Sequence, residues 1–251
     1  MYFFISQLSI SDILLSTDIV PNQLHILLNN GATITFFSCM AQLYFFCFAE
    51  ASECLLLTVM SYDRYVAICK PLHYNSIMTG TLCVKLVFII WLLSFSPPFT
   101  YIIKISGLQF CGPNIIDHVF CDIVPLQDLA CSDTFNIKLA INLLSITFMV
   151  FPSIIIVICY VNIVCAILKI STNISRQKAF STCSSHLAVV SIFYFTIFMV
   201  YNLPTKAQTS DVNKALSLLY TVFTPLINPI IYSFRNKDIK KAMQEMLKKC
   251  L

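Results

Sequence analysis

The sequence predicts an all-α membrane protein whose six helices each cross a bilayer. Three observations lead there. The chain is 58% hydrophobic and only 11% charged, with a mean hydropathy of +0.81, more apolar surface than a soluble chain of 251 residues buries. Uncharged runs cover Ile19–Ala49, Leu86–Ile103, Leu139–Leu168, Ala179–Thr205 and Ala215–Phe234, and about 20 residues are enough to span the hydrocarbon as a helix. These runs are continuously apolar and lack the alternation that a barrel with a polar lumen requires.

The expected spans are Met1–Leu24, Phe36–Ile68, Leu82–Ile103, Ile137–Leu168, Lys178–Leu203 and Asn213–Ser233. Without internal repeat, low-complexity tract or linker, residues 1–251 read as a single transmembrane domain. Met1–Pro21 lacks the layout of a signal peptide and reads as a span. Basic residues favour alternate connections: Arg64, Lys70 and Lys85; Lys169, Arg176 and Lys178; and a tail with Arg235, Lys237, Lys240, Lys241, Lys248 and Lys249. The positive-inside rule puts these in the cytoplasm, the C-terminus included. The net charge of +4 follows from that bias, so no nucleic-acid partner is inferred.

The first span carries Asp12, about 18 Å along the helix from Met1. A carboxyl at that depth marks a functional position, and Glu53 on the second span is its expected companion for a sodium ion or a proton. The competing reading is a protonated structural carboxyl. Glu50, one turn from Glu53, is expected to point inward as well.

Val59–Cys69 places Asp63-Arg64-Tyr65 at the end of the second span. Arginine does not discharge, so Arg64 needs a partner or water, and Asp63 is the local candidate. An exchangeable partner would give this end two states, the minimum for a switch. Pro71 then turns the chain. Cys39, Cys111, Cys121 and Cys131 fall on the oxidising side, where four thiols allow three pairings. The other cysteines read as small apolar residues, and the scattered histidines match no zinc spacing. The loop Lys104–Lys138 carries Asp117, Asp122, Asp128 and Asp133, read as a solvated acidic surface.

Pro152 is expected to bend the fourth span, with Tyr160 about two turns beyond. The fifth opens on the polar run Lys178–His186. In the sixth, Pro225 and Pro229 weaken the ladder, and Asn228 is assigned to the backbone groups they free. Ile239, Met243, Met246 and Leu247 line one face of a short amphipathic helix on the inner leaflet, a contact with membrane lipid. Cys250 beside it is a candidate for palmitoylation or a spare thiol. Nothing in the chain groups a nucleophile with a base, a glycine-rich phosphate loop or a metal cluster, so neither an enzyme nor a resident cofactor is expected.

Five stretches resemble the odorant (olfactory) receptors of the rhodopsin-like G-protein-coupled class. They are Met1-Tyr2-Phe3-Phe4 with Leu8–Asp12, Met60–Cys69, Cys111–Cys131, Lys178–Leu187, and Pro225–Tyr232 with Ser233–Lys237. The resemblance covers the whole chain and implies a seven-helix receptor bundle, here starting at what is similar to the family's second helix. Its first helix is absent, as in a fragment, a shortened gene model or a truncated receptor; the start at an internal methionine of the family pattern favours the first two. The resemblance implies disulfides Cys39–Cys121 and Cys111–Cys131. It implies a switch made of Asp63, Arg64, Tyr65, Tyr160, Asn228 and Tyr232, in which Arg64 is released to a heterotrimeric G protein while Tyr160 and Tyr232 rearrange.

It also implies an odorant pocket at Phe46, Cys47, Glu50 and Ala51, at Leu144 and Phe148, and at Tyr194, Ile197, Phe198 and Tyr201. Phe195, where a glycine is common, is expected to narrow that pocket. The function expected is detection of a small organic odorant and activation of a stimulatory olfactory-type G protein at the plasma membrane. Two other readings are an ion or proton transporter using Asp12, Glu53 and Glu50, and a six-helix product that does not signal. Inverted repeats would favour the transporter, and none is found.

Overall fold

A computed structural model describes residues 1–202, 210–235 and 245–246. Six long helices dominate these residues: α1 (Tyr2–Leu28), α2 (Phe36–Cys69), α3 (Gly80–Ser106), α4 (Phe135–Leu168), α5 (Asn173–Asn202) and α6, which runs from Ser210 to Arg235. All six contain a stretch long and apolar enough to cross a membrane. The spans read from sequence lie inside them, apart from end residues. Met1 falls outside the helices, Leu203 lies outside the described residues, and the helices overrun the expected ends elsewhere because apolar periodicity does not register a polar cap or a polar first turn. Of the expected amphipathic tail helix only Glu245 and Met246 are described, both helical and exposed; the rest of it and Cys250 lie outside the described residues.

Helix α2 is the axis. Two thirds of its apolar window (67%) is buried, against 28% to 47% for the others, and α1, α3, α4 and α5 all pack on it. The remaining helices form a ring, α1–α3–α4–α5–α6, closed by contact between α6 and α1. Phe88, Leu92, Ile103, Phe151, Val157 and Phe195 point out of the ring and are exposed, as side chains facing lipid are. Phe195 therefore cannot narrow an interior pocket.

Local chemistry sets the ends. Thr35 caps α2 by accepting from the Ser38 amide at 3.2 Å, and Thr79 caps α3 through the Leu82 amide at 3.3 Å, each satisfying an amide that the helix leaves open. Between α1 and α2 the chain reverses at Asn30 (φ 51°) and Gly31 (φ 131°), where a residue without Cβ is favoured.

Pro152, expected to bend its helix, and Pro225, expected to weaken the backbone ladder, share one local arrangement. In an α-helix their rings would collide with the carbonyls of Phe148 and Thr221. The chain answers with a π-helical turn just upstream of each, Ile146–Val150 in α4 and Leu219–Phe223 in α6. Hydroxyls cover loosened carbonyls nearby: Ser153 donates to Val150 O at 2.7 Å and Thr224 to Leu219 O at 3.2 Å.

The connection from α3 to α4 folds over one end of the ring. Cys39 at the start of α2 is bonded to Cys121, and Cys111 to Cys131. Asp122 caps a short helix, Ile123–Asp128, by accepting from the Ile123 amide at 2.6 Å. It is buried, which corrects the reading of this loop's acids as uniformly solvated.

Candidate functional site

At the end of the bundle opposite the disulfides, α2 stops before Pro71 and the chain folds back through the short helix Tyr74–Ile77. That return brings the Tyr74 hydroxyl to Asp63, where it donates to Oδ1 at 2.9 Å. Asp63 Oδ2 accepts from Arg64 Nε at 3.1 Å and from Nη2 at 2.5 Å. Asp63 is fully buried and the Arg64 side chain keeps 11% of its exposure, so these are charge-assisted bonds largely out of water rather than a surface ion pair. Burial, and then the bond to anionic Asp63, push the Tyr74 phenol up to about 12; it remains a donor throughout the physiological range.

Next to this group, the Tyr160 hydroxyl and His186 Nδ1 lie 2.6 Å apart with their rings stacked. His186 is fully buried and its Nε2 has no partner among the described residues, nor has the buried Tyr232 hydroxyl. Tyr160, Cys183 and Tyr232 belong to one buried cluster, against which Tyr65 and Tyr74 pack. The tyrosines expected around Arg64 are thus gathered there, but Tyr160 is bound to His186. Sequence reading missed His186 because it set the four histidines aside as scattered. Tyr65 is half-buried, with the Lys70 ammonium 5.9 Å from its ring centre.

Halfway along, Asp12 and Glu53 are buried side by side. Asn228 donates to Asp12 Oδ1 at 2.9 Å, and so ties α6 to α1 instead of serving the backbone freed by prolines, the role assigned from sequence. Ser11 and Ser52 bond at 2.6 Å beside them.

Towards the disulfides, Phe46, Glu50 and Ala51 on α2 and Ile197 on α5 are buried, while Cys47, Leu144, Phe148 and Tyr194 are half-buried. Phe198 is 58% exposed and faces outward, a correction that follows from its place on α5, one residue past the inward Ile197. The side chain of Tyr201 lies outside the described residues. Gln42, unmarked in the sequence reading, is a clamp: it accepts from the Cys121 amide at 2.9 Å and donates to the Asp18 carbonyl at 3.1 Å. A cleft of about 530 Å³ opens at this end between Asn22, Phe36, Phe110, Ile116, His118 and Phe120. Its wall includes His118, whose Nε2 meets the Ser217 hydroxyl at 3.1 Å; nearby, Lys214 pairs with Asp117. Among the described residues no cluster of histidine, cysteine and carboxylate is set to hold a metal.

A bundle with a buried Asp-Arg pair at one end and a disulfide-tied loop at the other can be compared with known proteins. A family model for olfactory receptors matches residues 1–250. The chain belongs to the olfactory receptor family. Human olfactory receptor 6N1 is 44% identical over 250 residues, covering 99% of this chain and 80% of that protein. Human olfactory receptor 5G3 is 45% identical over 249 residues, covering 99% and 79%; mouse olfactory receptor 5G29 is 44% identical with the same coverage. The chain is accordingly a multi-pass membrane protein with odorant-receptor function, and the family is not enzymatic. For this olfactory receptor, family membership implies an odorant ligand and a G protein as partners.

Proposed function

We propose that this receptor sits in the plasma membrane with the Asp63 end and the C-terminus cytoplasmic, and that odorant binding near the disulfide end releases Arg64 to a stimulatory olfactory-type G protein. The observation that carries this is the buried Asp63 carboxylate, shared by Arg64 and Tyr74, with Tyr74 packed against the cluster that contains Tyr160 and Tyr232 and Tyr160 bound to His186. A group with two available surroundings is a two-state element, and the G protein biases it by binding only the released arginine. Arg64, Asp63 and Tyr65 form the latch; Tyr160, Asn228 and Tyr232 are the interior groups that rearrange with it. The pocket is assigned to Phe46, Cys47, Glu50 and Ala51 with Leu144, Phe148, Tyr194, Ile197 and Tyr201. Asp12 and Glu53, with Asn228, form a sodium or proton site between latch and pocket. The test is odorant-driven cyclic-nucleotide production in cells expressing the chain. Arg64→Ala should abolish the response at unchanged surface density; a robust response in that variant sinks the latch assignment.

A further inference from the structure

Glu50 points into the interior of the bundle from α2 and is nine-tenths buried, and its Oε1 has no hydrogen-bond partner among the described residues. Two further carboxyls converge on the same place. Asp18 comes from α1, also with a buried unpartnered oxygen, and Asp122 from the loop held over the ring by Cys121. Gln42 of α2 bonds both the Asp18 carbonyl and the Cys121 amide, so Asp18 and the loop carrying Asp122 flank α2 within about two helical turns of Glu50. No described ion pair involves Glu50 or Asp18; those present lie at Asp63 and Asp117.

Beside the carboxyls is an aromatic wall. Phe46, one turn before Glu50, packs on Phe120 at 5.1 Å and on Tyr220 at 5.9 Å between ring centres. Phe120 and Cys121 also line the cleft at the disulfide end, so the wall and an opening to the outside share a strand of the loop. The buried, unpartnered oxygens of Glu50 and Asp18 call for a cation, because an unpaired charge in such surroundings is costly. An aromatic face next to them favours an organic ammonium, which gains from the ring as well as from the carboxylate.

We propose that the odorant of this receptor is a small protonated amine, its ammonium held by Glu50 with Asp18 and Asp122 and its hydrocarbon part against Phe46 and Phe120. The inference rests on the reading of the bundle interior as the odorant pocket. It predicts discrimination by charge: an amine is accepted, and the alcohol of the same shape leaves the charges of Glu50 and Asp18 without a counter-ion.

The experiment uses the full chain in detergent, with cyclohexylamine and cyclohexanol as probes at neutral pH and thermal unfolding as the binding readout. Cyclohexylamine should stabilise the receptor and cyclohexanol should not. Glu50→Gln keeps the side-chain shape and removes the charge; it should weaken the amine at least about tenfold while unfolding no earlier than the parent without ligand. Asp18→Asn should weaken it from the opposite side. Equal stabilisation by the alcohol, no stabilisation by the amine, or unchanged amine affinity in both variants overturns the proposal. Sodium chloride alone giving the same Glu50-dependent shift assigns the carboxyls to an inorganic cation and also overturns it. Cyclic-nucleotide assays separate the two claims. Amine binding without signalling upholds the ligand class and removes the latch reading, whereas signalling to neutral odorants alone does the reverse.

Discussion

Replacing Asp63 by asparagine tests the latch from its buried side. Asp63→Asn keeps an oxygen for one donor but removes the negative charge that faces Arg64 Nε and Nη2 at 3.1 and 2.5 Å. A hydrogen bond to a charged group contributes about 1.5–3 kcal/mol, and a neutral one about 0.5–1.5. Two such bonds lose their anionic acceptor while the guanidinium stays charged, they share one oxygen, and the guanidinium keeps 11% exposure and so some solvent screening. The net loss comes to about 1–2 kcal/mol, and at about 1.4 kcal/mol per decade the released form gains roughly 5- to 30-fold. The assay is agonist-independent cyclic-nucleotide accumulation normalised to receptor at the cell surface. Tyr74→Phe, which removes only the 2.9 Å bond to Oδ1, should raise it less. Basal signalling that stays level or falls in Asp63→Asn at matched surface density would refute the claim that this carboxylate restrains Arg64.

Two further outcomes concern the disulfide end. Gln42→Ala strands the Cys121 amide and releases the Asp18 carbonyl, for a loss of about 2–4 kcal/mol from an unsatisfied buried donor plus a lost bond. Gln42→Glu keeps the acceptor and should lose less in thermal unfolding. His118 has its imidazole pKa lowered, first by burial and also by Lys214, while its bond to the Phe120 carbonyl and nearby Asp117 pull the other way. Because the folded value lies below the ordinary 6.5, its stabilising contribution is complete above pH 6.5 and declines as the pH falls from there through the folded value. His118→Gln should flatten the dependence of the unfolding temperature on pH in that acid range.

The bundle was legible in the sequence because lipid demands long apolar helices, and that demand leaves a continuous pattern in segments such as Leu139–Leu168. The Asp63–Arg64 pair was legible for a related reason: the two charges are adjacent at the end of such a segment. Contacts between distant positions were not. Tyr160 and His186 meet because α4 and α5 pack together, and Asn228 reaches Asp12 across 216 positions. Each could equally have bonded to its own backbone or to solvent as far as local pattern tells. Phe198 was misplaced for lack of helical phase: one residue, about 100° of rotation, separates it from the buried Ile197. Gln42 gave no signal, since a glutamine among apolar neighbours shows no partner until the loop carrying Cys121 is folded over it.

The two π-helical turns give the positions beyond them a shared dependence. A π turn holds more residues than an α turn, so it behaves as an insertion of one residue, and everything downstream is rotated by about 100° relative to an unbroken helix. Tyr160 follows the turn at Ile146–Val150, and Asn228 follows the turn at Leu219–Phe223. Their inward aim is therefore set by chain length some way upstream and not by the residue types around them. Shortening either turn by one residue would tighten the helix and swing its contact, with His186 or with Asp12, away from the centre of the bundle.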